Sequence, residues 1–185
     1  VFELIDIPLG VYSVQEVKAP EGYARATTLP NALEVTGKFD PTAVPPVVHS
    51  TIKNTPITVS FTKVDDDGSK VTTAQFTLYK AKADAQTKHE TGDTVIEANF
   101  TVPAAGKTFT KLTPGTYFLV ETAITGYNTL PEIRFVIDPY ETKAALTVKE
   151  LMNPQQPSLF DQSGNLQNTL QKGSLTIVKH DAKDK

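Results

Sequence analysis

The chain has 185 residues, 39% of them hydrophobic and 21% charged, a composition that folds and is not that of a disordered chain. Its formal charge of −3 gives no basic face to neutralise phosphates, which excludes nucleic acid as a partner. Without a cysteine there is no disulfide, thiolate nucleophile or sulfur-held metal, and no run of 18 apolar residues offers a membrane span.

In chain order, the first landmark is PLGVYSVQEVKAPEGY (8–23), which carries Glu16. TIKNTPITVSFTKVDDDG (51–68) follows, with Asn54, an alternating strand and Lys63, and then an Asp-Gly turn. The DDDGS segment lacks the glutamate that a calcium loop needs at its twelfth position, where Phe76 stands, so it reads as a turn. AQFTLYKA is a second strand, and KADAQTKHETGD (82–93) an exposed loop. Next comes TPGTYFLVETAITGY (113–127), where Glu121 ends an apolar strand. IRFVID and ALTVKEL read as further strands, and ELMNPQQPSLFDQSGN as an insertion. NLQNTLQKGSLTIVKHDAKD (165–184) closes the chain with Asn168, another strand and Lys179. Short β-branched and aromatic runs punctuated by Gly, Pro, Asp and Asn predict an all-β sandwich.

The chain repeats itself. Residues 8–23 match 113–127, and 51–68 match 165–184. Glu16 and Glu121 stand 105 residues apart, Asn54 and Asn168 114, and Lys63 and Lys179 116. A unit that opens on the Lys strand and closes on the Asn strand spans 56–171. Residues 1–55 are then the C-terminal part of one unit, and 172–185 the first strand of a third. The chain does not begin with Met and reads as an excerpt of a longer polypeptide, its units joined by short, stiff joints.

Strand alternation puts Val59, Phe61 and Lys63 on one face, Tyr117, Leu119 and Glu121 on another, and Leu166 with Asn168 on a third. Lys and Glu are seldom buried without a partner, yet each of these polar residues ends an apolar run and recurs in register. Burial favours the neutral forms of an amine and a carboxylic acid. A neutral Lys63 amine can attack the Asn168 carboxamide and release ammonia, with Glu121 carrying the proton and polarising the carbonyl. The product is an amide staple between the first and last strands, doing the work of a disulfide in a cysteine-free chain. Asn153 is a rival acceptor because 47 residues separate Glu121 from Asn168, against 38 between Glu16 and Asn54. Asn168 is preferred because QNT copies the KNT of the first unit.

These motifs resemble Cna B-type domains, the immunoglobulin-like modules of Gram-positive surface adhesins and pilins. The resemblance covers essentially the whole chain. It implies tandem immunoglobulin-like β-sandwiches in which Lys63, Glu121 and Asn168 form an autocatalytic isopeptide bond. Glu16 and Asn54 match the glutamate and asparagine of the preceding unit, and Lys179 the lysine of the following one. It further implies a stalk module on the extracellular, wall-attached surface of a Gram-positive bacterium. Its partners would be adjoining domains, other pilus subunits or host extracellular matrix, with no cofactor, no metal and no turnover beyond self-crosslinking. Neither an LPxTG sorting signal nor a YPKN motif is present. The rival function is a ligand-binding module whose loops at 82–99 or 153–165 contact a host protein or glycan.

Overall fold

The computed structural model describes residues 7–27, 33–35, 51–152 and 155–179. Two short antiparallel pairs occupy the N-terminal part: β1 (Gly10–Tyr12) with β3 (Leu33–Val35), and β2 (Tyr23–Ala24) with β4 (Thr55–Pro56). The remaining strands build a two-layer sandwich. One layer is antiparallel, in the order β11 (Ile133–Ile137), β10 (Gly115–Ala123), β7 (Gln75–Lys80) and β8 (Thr94–Thr101). The other sets β5 (Thr58–Phe61) between β12 (Ala145–Thr147), which runs parallel to it, and antiparallel β9 (Lys107–Thr110). After Phe61 the same strand continues as β6 (Lys63–Val64), paired in parallel with β13 (Leu166–Gln167).

The predicted alternation is what packs the two layers. Val59 and Phe61 point inward from β5 and meet Phe76 and Leu78 of β7. The Phe61 and Phe76 rings cross edge to face with centroids 5.7 Å apart, and Tyr117 stacks on Phe135 at 5.2 Å. β10 is buried on both faces from Gly115 to Leu119, because the 82–93 loop covers its outer face: the Thr116 hydroxyl donates to the Asp84 carbonyl at 2.8 Å and the His89 ring lies 6.4 Å from that of Phe118.

Sequence reading and structure part at four places. ALTVKEL is a strand only to Thr147; Val148–Leu151 is an α-helix, α1. The cause is a capping box: the Thr147 hydroxyl accepts from the Glu150 amide, and the Glu150 carboxylate accepts from the Thr147 amide. GSLTIVKH forms no strand over its described residues, 173–179, which run exposed and pair with no other strand. β8 and β9, not expected, are present. The 155–165 segment is no loose insertion: it makes a 3₁₀ turn at Pro157–Leu159 and buries Leu159 and Phe160 in the core. The 82–93 loop is irregular, as expected, and its turns close on Asp93, which accepts from the Lys82 and Glu90 amides.

Candidate functional site

Lys63, Glu121 and Asn168 are all buried, exposing 1%, 5% and 0% of their surfaces. Each is delivered by a strand. β6 carries Lys63, and Leu166 of β13 pairs directly with it. Two residues on, the Asn168 amide donates to the Val64 carbonyl at 3.0 Å, which holds Asn168 in register with the lysine strand. Glu121 lies opposite Phe76 on β10, just before the ladder with β7 slips register at Ala123. Bulges of this kind re-aim a side chain.

The carboxylate and carboxamide meet directly. Asn168 Nδ2 donates to Glu121 Oε2 at 3.0 Å and to the Asn128 carbonyl at 2.7 Å. The second bond fixes which end of the amide faces the glutamate. Glu121 Oε2 also accepts from the Leu130 amide at 2.7 Å. Glu121 Oε1 and Asn168 Oδ1 are buried acceptors without a hydrogen-bond donor. Beside them, Lys63 Nζ makes only long contacts, to the Val64 and Leu166 carbonyls at 3.3 and 3.5 Å. Such groups are costly to bury unless a reaction or partner uses them.

Desolvation lowers the Lys63 pKa to about 8, although the negative charges of Glu121 and Asp65 work the other way. Near neutral pH a usable fraction of this amine is therefore unprotonated. Asp65, part of a turn in the sequence, is buried and close enough to Lys63 for its charge to act on the amine. Its Oδ1 accepts from the Asp67 and Ser69 amides, and its Oδ2 from the Tyr127 hydroxyl at 3.1 Å. Asn128, Leu130 and Asp65 escaped sequence reasoning, because two of them act through backbone atoms and the third wears the signature of an ordinary turn. Asn153 lies outside the described residues.

The N-terminal part repeats half of this constellation. Asn54 Nδ2 donates to both Glu16 oxygens, at 2.9 and 2.8 Å, and to the Ala24 carbonyl at 3.1 Å. Glu16 Oε2 accepts from the Ala26 amide at 2.6 Å. Ala24 and Ala26 thus do for Glu16 and Asn54 what Asn128 and Leu130 do for Glu121 and Asn168. Among the described residues no lysine forms an ion pair with Glu16. Lys179 is exposed on the unpaired tail.

Among the described residues there is no group of side chains that could hold a metal ion, and no helix long and apolar enough to cross a membrane. In the loops of the rival reading, Leu159 and Phe160 are buried, and Val95 and Ile96 on the edge strand β8 are the exposed large hydrophobics.

The chain belongs to the SpaA prealbumin-like fold domain family, whose model matches residues 57–151. That stretch contains Lys63 and Glu121. The match agrees with the resemblance to Cna B-type modules and with an immunoglobulin-like all-β sandwich. No curated protein matches the chain. Among solved structures it is similar to a streptococcal ancillary pilin, at 24% identity over 89% of this chain and 43% of that one, with a TM-score of 0.38. The Bacillus anthracis TIE protein is 24% identical over 89% of this chain and 26% of its own, at 0.42. The group B streptococcus pilus 2b backbone protein is 18% identical over 85% and 53%, at 0.39. The chain spans about half or less of the length of each.

Proposed function

We propose that the chain is a structural spacer of a pilus subunit or adhesin on the outer, wall-attached surface of a Gram-positive bacterium. It stiffens itself by joining Lys63 to Asn168. The observation that carries this reading is the burial of three polar side chains in one place, with the nitrogen that would leave Asn168 bonded to the Glu121 carboxylate.

The reaction balances without a co-reactant. The lone pair of neutral Lys63 Nζ attacks Asn168 Cγ, and a C–N bond forms. Glu121 takes a proton from Nζ and passes it to Nδ2. The Cγ–Nδ2 bond breaks and ammonia departs, leaving a secondary amide. Preorganisation replaces an external catalyst, since both reactants are held in place by strand pairing. The reaction occurs once per molecule, so the protein is not a turnover enzyme.

Intact-protein mass tests the reading. The folded chain should be lighter than its sequence by one ammonia, about 17 Da for a condensation of this type. Glu121→Ala and Asn168→Ala should each restore the sequence mass. An unshifted mass in the parent chain, or a shifted one in Asn168→Ala, rejects the assignment.

A further inference from the structure

Gly22 and Gly126 occupy the same place in the two repeats, and their backbones are alike. Their φ angles are +80° and +83°. The Gly22 carbonyl accepts from the Ile57 amide at 2.8 Å, and the Gly126 carbonyl from the Gln171 amide at 3.0 Å. Tyr23 pairs with Pro56 and Tyr127 with Leu170.

Their surroundings are opposite. Gly22 is buried: a Cβ there would lie 2.7 Å from the Lys111 carbonyl oxygen of the sandwich that follows. Ala24 is buried in the core of that sandwich, Lys111 Nζ sits 5.7 Å from the centre of the Tyr23 ring, and the Arg25 amide donates to the Glu141 carbonyl at 2.8 Å. Gly126, Asn128 and Thr129 are exposed, and a Cβ on Gly126 would meet nothing within 4 Å.

The exposed tail is a second, separate observation. Leu175 and Ile177 are 85% and 82% exposed, while Val59 and Phe61, at the matching positions before Lys63, are 0% and 5% exposed. Alternating apolar residues of this kind need a sandwich to close over them.

We infer that the Gly126–Thr129 face is a docking surface for a further domain of this same fold, with residues 174–179 as its first strand. That domain would press a loop carbonyl against Gly126, as Lys111 presses on Gly22, and would take the Thr129 amide as Glu141 takes that of Arg25. Past Gln171, the counterpart of Ile57, the distal joint has two residues more than the proximal one, Lys172 and Gly173. Lys172 is tied back to the sandwich by an ion pair with Asp66 at 3.3 Å, so the added length starts against the sandwich. Asn128 replaces Ala24, so the incoming domain must offer that position a polar neighbour. The inference deepens the spacer reading and is independent of the bond chemistry: an unshifted mass would leave it standing.

The test extends the full chain, following residues 1–179 with a second copy of residues 64–171, and reads amide hydrogen exchange residue by residue. In the parent chain the Arg25 amide should be protected and the Thr129 amide should exchange freely. In the extended chain Thr129 exchange should slow by at least about tenfold, the mark of a new structural hydrogen bond. A companion chain that lacks Lys172 and Gly173 and carries Asn128→Ala matches the proximal joint in length and restores alanine at the Ala24 position, which a copy of this sandwich accepts in its core. Protection of Thr129 in either chain supports the inference. Free exchange in every chain that folds, or failure of both chains to fold, overturns it.

Discussion

Lys63 is the residue whose chemistry sets the conditions for the rest. Its pKa of about 8 means that raising the pH through that value increases the neutral, nucleophilic fraction. At pH 6 only roughly one amine in a hundred would be neutral. Bond formation, followed by mass after cell-free synthesis, should therefore be slow at pH 6 and reach a plateau above about pH 9; a rate independent of pH would contradict the role of the amine. The same shift appears in stability when the bond is prevented. In Asn168→Ala the folded amine titrates far below its ordinary value of 10.5, so between the two values the unfolded chain holds more protons. Stability should rise as the pH climbs from about 8 to 10.5, and the cost of burying the charge is fully present below 8. Comparison with Lys63→Met/Asn168→Ala isolates this contribution, because the double variant should lack that rise. Asp65 acts on the same amine. Its charge raises the lysine pKa, so Asp65→Ala should move the onset of bond formation to lower pH. It should also destabilise the fold by about 1–3 kcal/mol, since the Asp67 amide and the Tyr127 hydroxyl lose their acceptor and the Ser69 amide keeps only Asp67 Oδ1.

At the scale of elements, legibility followed burial. β5, β7, β10 and β11 were readable because each buries several side chains and its apolar spacing records it, β11 doing so even at a sheet edge. β8 was not, since it is an edge strand with Phe100 as its one buried residue. β9 was not, since four residues around one buried phenylalanine carry too little pattern. α1 hid inside an alternating run because its signal is a cap and not a period. Thr147→Ala should cost about 1 kcal/mol by removing that cap, measurable by urea unfolding. The candidate site was legible in its side chains, whose spacing put Lys63, Glu121 and Asn168 inside. It was illegible in its backbone partners, because a carbonyl such as that of Asn128 has no letter in the sequence. The 155–165 segment looks like an insertion in the sequence because its two core residues, Leu159 and Phe160, stand side by side without alternation. Phe160→Ala should destabilise by roughly 3–5 kcal/mol, as truncation of a buried ring does. A loss below 1 kcal/mol would show that the segment merely covers the sandwich.

For the whole molecule, the proposed bond closes a loop of about a hundred residues, which in the chain-entropy treatment of cross-links is worth about 4–5 kcal/mol. Loss of the bond in Glu121→Ala should lower Tm by on the order of 15–25 °C, visible by calorimetry. The parallel pairing of β6 with β13 has a mechanical consequence. These two strands lie next to the points where the chain enters and leaves the sandwich. When the chain ends are pulled apart, parallel neighbours slide against each other, so their hydrogen bonds are strained together and do not unzip one at a time. A bond from Lys63 to Asn168 crosses between those same strands. Tension would then run from Lys63 straight to Asn168 and bypass residues 64–167. Stretched singly, the linked molecule should yield no extension from that interval, while Asn168→Ala should release about 35 nm of chain.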